Sequence, residues 1–161
     1  MDKQGQTANK SGKGREEYIR NLIRERGVPI MTNAAYKKLK SKPEEVWITN
    51  PDYRSIYEHN GRSDGLLIRD SVPRLRLEQK NQNVAGSVDE KIPYMVENLR
   101  EGKFPEPKVV FIVEGNGYKE GAVEWMEREV LKHNEMPGRI QEAYFYRDAD
   151  LFMELFDEIR D

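Results

Sequence analysis

Residues 108–114, KVVFIVE, form the one strongly hydrophobic strand of the sequence. Its five consecutive apolar residues leave no polar face, which is typical of a central strand that helices cover on both sides of a sheet. A glycine-containing turn follows at 115–117, and Trp125, Met126 and Val130 then have helical spacing over residues 121–133. This alternation of strand and helix predicts an α/β fold with a mixed β-sheet flanked by helices.

The rest of the chain supplies the other predicted elements. Apolar spacing and helix-ending residues predict helices at 15–26, 33–42, 88–99, 121–133 and 149–159. Extended segments between turn residues predict strands at 55–59, 65–69, 74–81 and 143–147. Residues 1–14 contain three Lys and almost no apolar side chain, so we expect a flexible basic arm ahead of one domain at 15–161.

The residue types exclude several kinds of catalytic site. The chain of 161 residues can bury one core, but its lack of Cys excludes disulfides, thiolate zinc sites and cysteine nucleophiles. Its two imidazoles, His59 and His133, are too few for a histidine-built metal site. Catalysis would therefore depend on carboxylates, Lys, hydroxyl groups or a hard cation.

Hydropathy bears on where such a chain resides. No apolar run approaches the roughly 18 residues that a membrane helix needs. The N-terminal residues also lack the apolar core of a signal peptide. We therefore expect a cytoplasmic protein without a membrane partner.

Charge is distributed unevenly along the chain. Residues 1–80 hold 17 Lys and Arg against 11 Asp and Glu, whereas residues 81–161 hold 10 against 18. The basic half can face a polyanion such as DNA, or it can simply attract the acidic half of the same molecule. On the first interpretation the predicted DNA-binding residues are the lysines of the arm and of the 33–42 segment: Lys10, Lys13, Lys37, Lys38, Lys40 and Lys42.

Asp64, Glu78 and Lys80 lie in or next to two adjacent predicted strands. Alternate side chains of a strand share a face, so Glu78 and Lys80 point to the same side, and a tight hairpin would bring Asp64 beside Glu78. Two carboxylates suit Mg²⁺, and a neighbouring Lys can hold or deprotonate a water and offset charge on a phosphate. The plainer alternatives are a turn role for Asp64 and a solvated strand face for Glu78 and Lys80.

This arrangement resembles the PD-(D/E)XK nuclease superfamily, which includes restriction endonucleases. The residues that carry the resemblance are Asp64, the run Glu78-Gln79-Lys80, and Glu16 and Glu17 in the upstream helix. It implies a restriction-endonuclease-like sheet in which Asp64 and Glu78 bind Mg²⁺, or Mn²⁺ as a substitute, and Lys80 is catalytic. It also implies that a helix acid assists, Glu16 before Glu17. Gln82 shares the predicted face of Lys80 and is a candidate accessory residue.

The sequence departs from the family pattern at one position and offers two competing triplets. Ser63 stands before Asp64, where the family name has Pro. The triplet at 101–103 lies at a predicted helix end, and the triplet at 106–108 contains a Pro that cannot join a central ladder. Glu16 and Glu17 could also do no more than complement the helix dipole.

The resemblance implies a magnesium-dependent DNA endonuclease of restriction type. Cleavage of both strands of a duplex would require at least a homodimer, with one active site for each strand. A homing or phage endonuclease and a junction resolvase are alternatives within the fold. A non-catalytic nucleic-acid-binding domain is the alternative from another class.

Overall fold

The computed structural model describes residues 12–82 and 91–161, which form five α-helices and eight β-strands. The helices are α1 (Gly12–Glu25), α2 (Asn33–Lys38), α3 (Lys91–Arg100), α4 (Glu120–His133) and α5 (Ala149–Arg160). The strands are β1 (Ile30–Thr32), β2 (Glu45–Thr49), β3 (Asp52–Arg54), β4 (Asn60–Arg62), β5 (Gly65–Arg69), β6 (Val72–Asn81), β7 (Lys108–Glu114) and β8 (Glu142–Tyr146). None of the helices in these ranges is long and apolar enough to cross a membrane.

Six strands form one mixed sheet in the order β1-β2-β5-β6-β7-β8. The pairs β1–β2, β6–β7 and β7–β8 are parallel, whereas β2–β5 and β5–β6 are antiparallel. Strands β3 and β4 pair with each other as a separate hairpin. The predicted mixed sheet flanked by helices is therefore confirmed.

Strand β7 lies inside the sheet because its side chains are apolar on both faces. Val110 and Ile112 belong to a core cluster with α1 and α5, which is built around Ile19, Phe152 and other residues on that side of the sheet. Val109, Phe111 and Val113 belong to a second cluster with α3 and α4 on the opposite side. All five apolar residues of β7 are buried, as the hydrophobic run predicted.

A third, smaller cluster fills the other end of the second face. Val46, Ile48, Leu66 and Ile68 from β2 and β5 pack there with Tyr36 of α2. On β6, in contrast, the side chains on this face are polar or charged, because Leu75 and Leu77 point to the first face. The second face therefore has a polar band on β6 between two apolar clusters, and this band includes Glu78.

Some of the predicted elements are wrong. Residues 55–59 form the turn between β3 and β4 rather than a strand; the Ser55 carbonyl accepts from Glu58 N, and Glu58 has a positive φ of 59°. Strand β2 is a core strand that the pattern did not predict. The helix predicted at 33–42 is shorter in the structure. Helix α2 ends at Lys38, because the backbone of Leu39 is extended.

Other predicted boundaries shift slightly or cannot be compared. Strand β6 begins at Val72 rather than residue 74, and α3 begins at Lys91, where the description of the chain resumes. Residues 88–90 of the predicted helix lie outside the described residues, as do residues 1–11 of the predicted arm. Residues 12–14 of that arm are the first turn of α1.

Candidate active site

The β5–β6 hairpin brings Asp64 beside the end of β6. Asp70 and Ser71, at the turn, have φ values of 53° and 62°, the left-handed conformation that a two-residue hairpin turn requires. The resulting register pairs Gly65 with Leu77, and Asp64 N donates to the Leu77 carbonyl at 2.9 Å. The Asp64 carboxylate also accepts from Gln79 N at 2.6 Å, so both ends of this residue are held against β6.

Glycine is required where β5 begins, immediately after Asp64. A Cβ at Gly65 would lie 1.9 Å from the indole ring of Trp47 on the neighbouring strand β2. The close approach of Trp47 therefore fixes β5 next to β2 and leaves Asp64 at the mouth of the hairpin.

Glu78 is a buried carboxylate, and within the described part of the chain only one of its two oxygens accepts a hydrogen bond. It is 3% exposed, and it pairs in register with Phe111 on the face covered by α3 and α4. Ser63 Oγ donates to Glu78 Oε1 at 2.6 Å, whereas Lys80 Nζ lies 3.8 Å from Oε2. Burial raises the pKa of Glu78, while Lys80 and the Ser63 hydroxyl oppose that rise. The Lys80 side chain is 32% exposed, so Glu78 Oε2 faces the side that solvent can reach.

A buried Arg fixes the direction of the Ser63 hydroxyl. Arg76 Nη1 donates to Ser63 Oγ at 2.8 Å, and the same guanidinium binds both Glu106 oxygens at 2.7 and 2.8 Å. A hydroxyl has one proton, so Ser63 accepts from Arg76 and gives that proton to Glu78. The chain of contacts Glu106–Arg76–Ser63–Glu78 therefore ends at the predicted metal ligand.

The first helix brings Glu16 to Asp64. Arg15 forms two hydrogen bonds to Glu114 at the end of β7, at 3.2 and 2.7 Å, which holds the first turns of α1 over the end of β6 and β7. Glu16 and Asp64 interact electrostatically, and burial followed by repulsion from Asp64 raises the pKa of Glu16. Burial also raises the pKa of Asp64; Lys80 opposes this rise, and Glu78 adds to it. Three acidic groups and one Lys thus act on each other electrostatically.

Glu17 points away from this cluster. Its carboxylate accepts from Arg24 at 2.7 Å and lies 3.7 Å from Arg20, and the hydrogen bond from Arg24 lowers the pKa of Glu17. Of the two predicted helix acids, the structure therefore brings Glu16 to Asp64.

The predicted accessory residue Gln82 lies one residue past β6, where its backbone forms hydrogen bonds with Glu114 and Gly117.

A pocket of about 250 Å³ opens beside Glu78 and Lys80. Burial, followed by the nearby Glu78, raises the pKa of the Tyr53 phenol. A Cβ at Gly61 would lie 2.5 Å from the Tyr53 ring, so this hairpin position also needs glycine. The pocket is lined by Tyr53, Gly61, Arg62, Glu78, Lys80, Lys91, Tyr94 and Met95. A larger cavity of about 510 Å³ lies near the start of β6, beside Arg69, Arg74 and Lys108, and contains none of the predicted catalytic residues.

The lysines predicted to bind DNA lie in and after α2 or outside the described residues. Lys37, Lys38 and Lys40 are exposed and form no ion pair with another described residue, whereas Lys42 donates to the Tyr36 and Leu39 carbonyls. Lys10 lies outside the described residues, and so does the side chain of Lys13.

Ion pairs also join the basic and acidic halves of the chain. Arg15–Glu114, Arg26–Asp157 and Arg76–Glu106 each link a cation from the first half to a carboxylate from the second. Part of the charge imbalance is therefore neutralised inside the fold.

Sequence reasoning did not single out Ser63, Arg76 or Tyr53 as site residues. Because alternate residues of a strand share a face, Arg76 lies on the same face as Glu78. This alternation could have identified Arg76 as a site residue from the sequence. Tyr53 and Ser63 reach the site through the β3–β4 hairpin and the residues just after it, whose course the sequence pattern did not predict.

The donor atoms at this site suit a hard cation. Within residues 12–82 and 91–161, no group of three or more His, Cys, Asp or Glu side chains is arranged as a metal-ligand set. Asp64 and Glu78 nevertheless provide two carboxylates with raised pKa values, and a bound cation would relieve their mutual repulsion. Oxygen donors of this type favour Mg²⁺ or Mn²⁺ over softer metals.

Comparison with known proteins gives one family match. A model of the PD-(D/E)XK nuclease superfamily domain matches residues 7–147, a range that includes Glu16, Asp64, Glu78 and Lys80. A search of curated proteins found no match.

Proposed function

This chain belongs to the PD-(D/E)XK nuclease superfamily, and we propose that it is a magnesium-dependent endonuclease that hydrolyses phosphodiester bonds in DNA. A nuclease domain implies a nucleic-acid partner, and nucleases of this superfamily generally use divalent metals. The observation that carries the proposal is the juxtaposition of Asp64 and Glu78 with Lys80, whose ammonium lies 3.8 Å from Glu78.

In this proposal Asp64 and Glu78 hold the cation, and Glu16 binds a water or a second cation beside them. A bound divalent ion supplies Lewis-acid polarisation of the phosphate and lowers the pKa of a coordinated water. The raised pKa values of the acids imply that cation binding competes with protons, so we expect affinity to fall as the pH is lowered.

Lys80 orients the attacking water and offsets the negative charge that develops on the phosphate. The attacking water gives up one proton to solvent as its oxygen bonds to phosphorus, one P–O ester bond breaks, and the leaving oxygen takes up a proton from solvent. The Ser63 hydroxyl holds one Glu78 oxygen, which supports a fixed orientation of the other toward the site.

We propose that Lys37, Lys38 and Lys40 contact DNA phosphates, because these exposed cations have no acidic partner among the described residues. Lys10, Lys13 and Lys42 remain candidates from their charge. The restriction-type role rests on the resemblance of the motif to restriction endonucleases, and duplex cleavage by such an enzyme requires a homodimer or larger oligomer.

Cleavage of supercoiled plasmid tests this proposal. We expect nicking or linearisation with Mg²⁺ or Mn²⁺ and none with EDTA, and fixed product bands if the enzyme is of restriction type. Asp64→Asn and Lys80→Ala should each reduce the rate by about 100-fold or more, since each removes a group that acts on the reacting phosphate.

Asp52→Asn is the matched control for this assay. Asp52 is an exposed Asp that lies 3.6 Å from Arg62, and its substitution should leave the rate unchanged. Cleavage by the Asp64 variant at the wild-type rate would contradict the assignment. A folded, DNA-binding protein that cuts nothing with either metal would favour the non-catalytic alternative.

A further inference from the structure

Tyr57, in the turn of the β3–β4 hairpin, exposes an aromatic ring next to the candidate active site. Its side chain is 64% exposed, the highest fraction of any Tyr in the described residues. The ring stacks on Tyr94 with centroids 5.2 Å apart and planes 20° apart, and His59 lies 5.9 Å away in a tilted arrangement.

The turn holds this ring in place through buried polar contacts. Ser55 is fully buried, and its Oγ accepts from Tyr57 N at 3.2 Å. Ile56 N donates to Asn98 Oδ1 at 2.9 Å, and Asn98 is a fully buried residue of α3. After the ring, Glu58 N donates to the Ser55 carbonyl at 3.0 Å. The backbone on both sides of the exposed ring is therefore held by hydrogen bonds, so the ring loses little further freedom when it binds a ligand.

The exposed ring is continuous with the pocket beside the candidate catalytic residues. Tyr94 stacks on Tyr57 and also lines the 250 Å³ pocket that contains Glu78 and Lys80. An aromatic surface thus extends from the solvent-exposed turn to the position where a phosphate would be cleaved.

Charge distinguishes the two sides of the turn. The pocket side carries the cations Arg62, Lys80 and Lys91 together with the Glu78 carboxylate, and exposed Asp52 lies 3.6 Å from Arg62. The other side is a separate depression lined by Ile56, Glu58, Glu97, Glu101 and Lys103. On that other side Glu58 is paired with Arg54 and Lys103, and Glu97 with Arg100. The cations of the pocket side therefore favour an anionic strand that contacts Tyr57 and continues toward the pocket.

We propose that Tyr57 stacks on an unpaired nucleobase of the substrate next to the scissile phosphate. The bases of an intact duplex already stack on one another, so an exposed ring can accept only a base that has left the stack. The substrate class is then DNA with at least one unpaired or flipped base close to the cleaved bond. This inference rests on the proposed nuclease function, and it adds a preference for locally unpaired DNA.

The test compares two DNA duplexes in Ca²⁺, which fills such a site without activating water well. One duplex carries a single unpaired 2-aminopurine at its centre, and the other has the same base paired. Wild-type protein should bind the first duplex about tenfold more tightly, the size expected for one base stacked on an aromatic ring, and should quench its fluorescence.

Tyr57→Ala should lose both the tenfold preference and the quenching, whereas Tyr57→Phe, which keeps the ring, should retain both. Leu131→Ala is the control for the loss of an exposed apolar side chain on another helix. Leu131 is 50% exposed on α4, and this variant should behave as wild type. Circular dichroism would verify that the variants are folded.

The possible outcomes separate the two proposals. A Tyr57→Ala protein that keeps the preference and the quenching overturns the stacking role, whether or not the enzyme cleaves DNA. Quenching that depends on Tyr57 in a protein that cleaves no DNA supports the stacking role and overturns the nuclease proposal. Failure of wild-type protein to bind either duplex overturns both.

Discussion

Two glutamates on either side of Arg76 are almost equally buried but have different surroundings. Glu106 is 4% exposed, and Arg76 donates to both of its oxygens. Glu78 is 3% exposed, but among the described residues only one of its oxygens accepts a short hydrogen bond, from Ser63, and the other lies 3.8 Å from Lys80 Nζ. Burial is common to both residues, so the candidate metal ligand is distinguished by a carboxylate oxygen that accepts no short hydrogen bond from a described residue.

Arg76 contributes to both surroundings in different ways. It neutralises Glu106 directly, whereas it reaches Glu78 through the Ser63 hydroxyl. The first arrangement is a complete ion pair that stabilises the fold. The second arrangement orients the Glu78 carboxylate without neutralising its charge directly. A carboxylate in this state favours the binding of a cation.

Glu78→Gln should have the largest effect on function. The change keeps the shape but removes the negative charge of a metal ligand, so we expect cleavage to fall by about 10³-fold, which corresponds to about 4 kcal/mol. Single-turnover cleavage measures this loss. Cleavage within a few-fold of wild type would remove Glu78 from the metal site.

The same variant should affect stability in the opposite direction. Burial raises the pKa of Glu78, so the folded state favours its protonated form, and its stabilising effect is lost as the pH rises through that raised pKa. Metal-free Glu78→Gln should therefore melt at a higher temperature than wild type above that pH, and thermal melts at several pH values in EDTA would measure the difference.

Glu106→Gln should have the next largest effect, and mainly on stability. The change leaves the Arg76 guanidinium buried without its anionic partner, and breaking a buried pair costs about 3–5 kcal/mol. Urea denaturation with Mg²⁺ absent would measure the loss of unfolding free energy. A Glu106→Gln protein as stable as wild type would mean that the two glutamates do not differ in the way described.

Ser63→Ala should have an intermediate effect that depends on pH. Removing the hydroxyl leaves Glu78 without the hydrogen bond that lowers its pKa, so the acid limb of the pH–rate profile should move to higher pH. Cleavage on that limb should fall about tenfold, since hydrogen bonds to charged groups contribute about 1.5–3 kcal/mol.

Ser63→Thr, which keeps the hydroxyl, controls for the Ser63→Ala experiment. It should restore the acid limb even if the added methyl group lowers stability. An unchanged profile in Ser63→Ala would show that the Ser63 hydroxyl does not tune the ligand.

Neutralising the lysines near α2 should have the smallest effect. Replacement of Lys37, Lys38 and Lys40 by Gln should weaken DNA binding similarly for all sequences. The slope of log affinity against log salt should flatten by about 0.9 for each phosphate that the variant no longer binds. Lys132→Gln on α4 is the control, because Lys132 already lies 3.2 Å from Glu129. An unchanged slope in the triple variant would show that this basic surface does not face DNA.

The β5–β6 hairpin could be predicted because its determinants are local. The turn residues Asp70 and Ser71 separate two extended segments, and the alternation within β6 places Glu78 and Lys80 on one face. The short strand β2 was not predicted, although its β-branched and aromatic residues at 46–49 favour a strand. Its pairing with β1 and β5 depends on contacts that are distant in sequence.

The rest of the site depends on contacts that are distant in sequence. Arg76 meets Glu106 across 30 residues because β6 and β7 pair in parallel, a register that local patterns do not specify. Which of Glu16 and Glu17 faces the site depends on how α1 is rotated on the sheet. The hydrogen bond between Arg15 and Glu114, which are 99 residues apart in sequence, helps to fix that rotation. Adjacent helix residues point about 100° apart, so only the docked helix separates the two acids.

Direct cation binding is the measurement that tests most directly whether Glu78 and Asp64 hold a metal ion. Titration with Mn²⁺, followed by electron paramagnetic resonance of the free ion at neutral pH without DNA, should show binding to wild type and to Asp52→Asn. Glu78→Gln and Asp64→Asn should lose most of that binding, and wild-type binding should weaken as the pH is lowered, since the raised pKa values make protons compete. Mn²⁺ binding that is equally tight in wild type, Glu78→Gln and Asp64→Asn would contradict the account.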